Sequence, residues 1–88
     1  MSQRFEVTWS SREDRFAIGI DHGTGGWFLS IPVSNRLVDY EEQYAIDEAT
    51  YEAFRADAAT GLAFAERARR RELDDRLLLP PGTDRGVG

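Results

Sequence analysis

The apolar residues of this chain recur with period two as far as Ile46 and at helical spacing from Asp47 onward. A single change of period midway along a chain predicts strands first and helices after, the pattern of the α+β class. Phe5, Val7 and Trp9 alternate with polar residues and are expected on one face of a first strand. Phe16, Ile18 and Ile20 follow across a polar turn from Ser11 to Asp14, which makes the two runs a hairpin. Asp21-His22-Gly23-Thr24-Gly25-Gly26 is a second turn, dense in residues that accept positive φ. Beyond it Trp27, Leu29, Ile31 and Val33 share one face of a third strand and Phe28, Ser30 and Pro32 the other. Pro32 has no N–H for a ladder, so the strand is expected to lie at an edge there or to be ending. A fourth strand is expected between Leu37 and Ile46, where Val38, Tyr40, Glu42, Tyr44 and Ile46 keep period two. The sheet is thus three- to four-stranded and antiparallel.

After the change of period, Asp47 is suited to cap a helix from Glu48 to about Ala56, with Ile46 and Tyr51 placed for a hydrophobic staple. Asp57 is suited to cap a second, striped by Ala58, Leu62, Ala65 and Ala68, with Phe64 to one side and Gly61 a weak point of about 1 kcal/mol relative to Ala. The alternative is one helix kinked near Asp57. Arg67, Arg69, Arg70 and Arg71 complement the negative end of the helix dipole and are read as its terminus, with Glu66 placed to pair at i+3 and i+4. Leu77-Leu78-Leu79 is expected to dock on the core, as an added strand or otherwise. Pro80-Pro81-Gly82 stops regular structure, so residues 1–79 are expected to form one domain and 80–88 a flexible tail.

At 88 residues the core is thin, and the two Trp, three Tyr and five Phe are what make folding without a staple feasible. No Cys is present, which removes disulfide and thiolate chemistry and suits a cytoplasmic setting. The start, Met1-Ser2-Gln3-Arg4-Phe5, has no apolar run of a secretory signal, and no stretch is long and apolar enough to cross a membrane. Every basic residue is Arg, the mark of a GC-rich, bacterial codon usage.

Catalytic signatures are weak. The Gly23 to Gly26 cluster leads into a strand, whereas a phosphate-binding loop opens a helix and carries Lys. His22 is the one histidine, so any general-base mechanism would pass through it. Asp21, adjacent in a strand, points to the opposite face. No spacing suggests a zinc site, and no two of the many carboxylates stand out as an acid/base pair. The chain is therefore read as non-enzymatic and without a cofactor.

The formal net charge of −5 opposes binding to nucleic acid or to anionic membrane. Charge is uneven: from Asp39 to Asp57 seven acids face one base, Arg55. Tyr40, Tyr44, Tyr51 and Phe54 are interleaved with them. Acids around aromatic rings suit an interface for a basic protein, because rings carry contact energy while charge speeds encounter and sets register. The expected contact set is Asp39, Tyr40, Glu41, Glu42, Tyr44, Asp47, Glu48, Tyr51 and Glu52. The opposing expectation is that these rings face the core. In size, acidity and want of catalytic motif the chain resembles the immunity proteins that neutralise bacterial toxins, and small phage-encoded inhibitors of nucleic-acid enzymes. The likeness is one of type, with no residue carried over. The alternative function is structural: self-association through the sheet, as a homodimer.

Overall fold

The computed structural model describes residues 4–34 and 39–79. Four strands, β1 (Phe5–Ser11), β2 (Phe16–Asp21), β3 (Gly26–Ser34) and β4 (Asp39–Ile46), form one antiparallel sheet in sequence order. Helices α1 (Glu48–Ala56) and α2 (Ala58–Arg69) pack on one of its faces, and a short 3-10 turn, η1 (Asp74–Arg76), lies beside β4. The fold is α+β. No helix among the described residues is long and apolar enough to cross a membrane. The tail from Pro80 and the start of the fourth expected strand, Leu37 and Val38, lie outside the described residues.

The core forms between the helices and the face bearing Phe16, Ile18, Leu29, Ile31, Val33, Tyr44 and Ile46, closed from above by Tyr51, Phe54, Ala65 and Ala68. Period two places these side chains correctly for β2, β3 and β4, since Leu29 pairs with Tyr44 and Trp27 with Ile46. At Pro32 the strand is flanked by β4 alone, because the β2 ladder runs out at Ala17 opposite Ser30. This is the edge-like setting that a residue without an N–H requires.

The expectation for β1 is corrected. Its register jumps between Val7 and Trp9, so that Val7 pairs with Gly19 and Trp9 with the next residue, Ile18. This bulge at Thr8 reverses the alternation. Phe5 and Val7 face away from the helices, where Phe5 meets Phe28 edge-on at 5.2 Å, while Trp9 turns to the helical side and lies 5.6 Å from the Phe16 ring. Gly19 is the reason the bulge fits: a Cβ there would stand 1.9 Å from the Glu6 carbonyl oxygen. Phe28, its cross-strand partner, lies over the space left by the missing side chain.

The helices follow their caps. Asp47 Oδ1 accepts from the Thr50 amide at 2.8 Å and Asp57 Oδ1 from the Ala59 amide at 3.0 Å. Asp57 itself is extended, so there are two helices and not one kinked rod. Gly61 is a point of close approach: a Cβ would come within 2.8 Å of the buried Phe16 ring. Leu77 forms an isolated bridge to Tyr44, and the Leu78 amide donates to the Gln43 carbonyl at 2.9 Å. The leucine run therefore closes part of the outer edge of β4 without becoming a strand.

Candidate functional site

The structure divides the acidic segment. Tyr44 is 0% exposed and Tyr51 6%, both within the core, while Tyr40 is half-buried against it. Period two puts Tyr40, Glu42, Tyr44 and Ile46 on the helical face of β4, and Tyr51 is the residue that α1 must bury as its staple. The rings therefore serve packing, and the expectation that Tyr44 and Tyr51 meet a partner is corrected. Glu42 is also buried, at 6% exposure, where its carboxylate accepts from the Tyr44 hydroxyl at 2.8 Å.

The other acids stay outside. Asp39 and Glu41 are exposed on the face of the sheet away from the helices, with Asp39 Oδ1 accepting from Ser34 Oγ at 2.7 Å. Asp47, Glu48 and Glu52 are exposed at the first turns of α1. Strand rise separates the two groups by about 20 Å, so they form two acidic patches rather than one. Hydrogen bonds from the Thr50 side chain and amide hold the Asp47 carboxyl below its usual range, with a smaller contribution from Arg76. Glu52 pairs with Arg55 at 3.4 Å on the open surface. Among the described residues Asp39, Glu41, Asp47, Glu48 and Asp57 make no ion pair. Exposed η1, with Asp74 and Asp75, lies toward the Asp47 end, since Arg76 reaches both Asp47 and the Phe64 ring.

His22 lies in the β2–β3 turn, where Nε2 meets Glu6 Oε1 at 2.8 Å with both side chains about half exposed. This pair ties β1 to the turn but stands in open solvent. Among the described residues no three His, Asp or Glu side chains converge as metal ligands.

Sequence reasoning passed over two polar arrangements. The first is Asp21, fully buried, whose carboxylate accepts from Arg4 Nε at 2.9 Å, Arg4 Nη2 at 3.2 Å, the Gly23 amide at 2.9 Å and Thr24 Oγ1 at 2.8 Å. These bonds, the Arg4 guanidinium first, outweigh burial and lower its pKa from 3.8 to about 2. The glycine-rich loop is thus a hairpin turn organised by the residue before it, with Gly25 at φ 78°. The Asx-type turn signal was present in Asp21-His22-Gly23, but the distant Arg4 carried none.

The second is a cleft of about 300 Å³ at the β1–β2 hairpin end, lined by Ser10, Ser11, Arg12, Arg15, Phe16, Ala17, Pro32 and Glu41. Arg12 and Arg15 make no ion pair, side-chain hydrogen bond or ring contact among the described residues. No spacing in the sequence announces this site, because its walls come from all four strands. Compared with known proteins, the chain matches no family model, no curated protein and no solved structure.

Proposed function

We propose that this protein is a non-enzymatic binding module that meets a basic protein surface through carboxylates left outside its core. The observation that carries the reading is that the exposed acids Asp39, Glu41, Asp47, Glu48 and Asp57 make no ion pair among the described residues, in a chain of net charge −5. A carboxylate without an internal partner loses no ion pair when a guanidinium or ammonium approaches, so its whole Coulomb attraction is available for encounter. With the tyrosines inside, binding depends on charge more than on aromatic anchors and falls steeply with salt. The patch of Asp47 and Glu48, with Glu52 and its partner Arg55 at the margin, is favoured over Asp39 and Glu41, because exposed η1 adds acids on its side. An inhibitor or immunity-type protein acting on a basic target fits this character.

The test is charge reversal in two halves, Glu48→Arg with Glu52→Arg, and Asp39→Arg with Glu41→Arg. Basic proteins retained by the immobilised chain at low salt should be lost with the first pair, with a reduced salt dependence, and largely kept with the second. Equal retention by wild type and both variants would overturn the proposal.

A second reading, self-association through the sheet, is favoured by one observation. Val7 is 51% and Trp9 38% exposed, and both lie on β1, an edge strand unpaired on its outer side among the described residues.

A further inference from the structure

Two clefts among the described residues combine an apolar lining with two guanidiniums and two hydroxyls: one holds Arg67 and Arg76 beside Phe54 and Phe64, and the other lies at the β1–β2 hairpin end. The apolar lining of the hairpin-end cleft comes from Ala17 and Pro32, on the sheet face away from the helices, with Phe16 adjoining them in β2. Its rim carries two guanidiniums, from Arg12 and Arg15, and two hydroxyls, from Ser10 and Ser11. Elsewhere the described arginines are committed: Arg4 to Asp21, Arg55 to Glu52, Arg67 and Arg70 to Glu72, and Arg69 to Glu66, while Arg76 lies over the Phe64 ring. Arg71 has an interaction as well. In an acidic protein the two uncommitted cations thus stand together at one concavity. Guanidinium pairs recognise planar oxyanions by parallel N–H···O bonds, and desolvation over an apolar floor strengthens them.

The rim is also held in place from a distance. Arg69 of α2 donates through Nη2 to the carbonyls of Asp14 at 2.7 Å and Arg15 at 2.5 Å, which fixes the turn bearing both arginines. Within the turn, Ser11 Oγ accepts from the Asp14 amide at 3.0 Å, which leaves its own O–H to donate. Arg15 occupies the left-handed region, φ 58°, where Gly or Asn is the ordinary choice. The position of this side chain is thus set by a tertiary bond rather than by local preference. Glu41 forms part of the wall and disfavours a second negative charge.

We propose that this cleft binds a small organic monocarboxylate with an apolar body, the body on Ala17 and Pro32 and the carboxylate between Arg12 and Arg15. The size is at the lower limit of small-molecule sites, about 300 Å³, which suits a single ring or a short branched chain. The inference does not rest on the Asp47 and Glu48 patch of the proposed function, and it shares Glu41 alone with the other acidic patch.

The experiment is a heteronuclear NMR titration of the full chain with benzoate, and separately with inorganic phosphate. Wild type should show saturable shifts from Ser10 to Ala17 and at Glu41, with a Kd of about 1 mM for so small a probe. Arg12→Gln with Arg15→Gly should weaken benzoate about tenfold, while Glu41→Gln should tighten it about threefold. Arg15→Gly relieves a strained backbone, so a raised melting temperature shows that the loss is not one of folding. Failure to saturate, an unchanged Kd in the double variant, or phosphate binding as tight as benzoate would each overturn the proposal, the last by reducing the cleft to an exposed ion-exchange pair.

Discussion

The buried carboxylate of Asp21 accepts four hydrogen bonds, two of them from Arg4, and its chemistry makes a pH prediction. Its folded pKa, about 2, is below the ordinary 3.8. The stabilisation is therefore complete above pH 3.8 and is lost as pH falls through about 2. The shift corresponds to roughly 2 kcal/mol. Asp21→Asn should lower stability at neutral pH by about 2 to 3 kcal/mol and flatten the acid limb of a denaturant-midpoint profile. A limb unchanged in this variant would assign acid sensitivity to other groups. Gly61 sets two effects against each other. Helix propensity favours Gly61→Ala by about 1 kcal/mol, whereas a new methyl within 2.8 Å of the buried Phe16 ring overpacks the core, typically by about 1 to 3 kcal/mol. The prediction is net destabilisation, read from chemical denaturation, and a gain would show that Phe16 can yield.

At the scale of elements, local signals were sufficient where they were contiguous in sequence. Asp47 and Asp57 cap their helices through bonds to amides two or three residues on, a range that the sequence displays directly. Asp57→Ala should cost about 1 kcal/mol and lower the melting temperature, because it removes the acceptor that starts α2. A melting temperature equal to wild type would show that packing alone positions the second helix. The strand β1 is the contrary case. Its alternation from Phe5 to Trp9 was plain, yet the bulge opposite Gly19 turns Trp9 to the other face. The available sign was Gly19 itself, an isolated glycine inside a strand, which marks a bulge or a close backbone approach.

The whole molecule presents acids at two ends of β4, a guanidinium-lined cleft at the first hairpin, and an edge strand with two exposed apolar side chains. The self-association reading belongs to this scale: Val7→Lys should abolish any concentration-dependent dimer seen by sedimentation while leaving the monomer folded, because Val7 is exposed. A concentration-independent wild-type monomer would count against that reading. Periodicity, turn residues and caps were enough to determine the order of strands and helices and the core faces of β2, β3 and β4, since each depends on neighbours within a few residues, whereas only the extended backbone of Asp57 decided between two helices and one kinked helix. They could not determine which members of Asp39, Tyr40, Glu41, Glu42, Tyr44, Asp47, Glu48, Tyr51 and Glu52 would remain outside. Tyr51 is buried because α1 lies over the sheet, Tyr44 because it pairs with Leu29 beneath the helices, and the acids divide because β4 runs the length of the sheet between them. Only tertiary structure brought Arg4 to Asp21 and Arg69 to the turn of Arg12 and Arg15. Contacts 17 and 54 residues apart leave no periodic trace in a chain, because their geometry exists only once the sheet has closed.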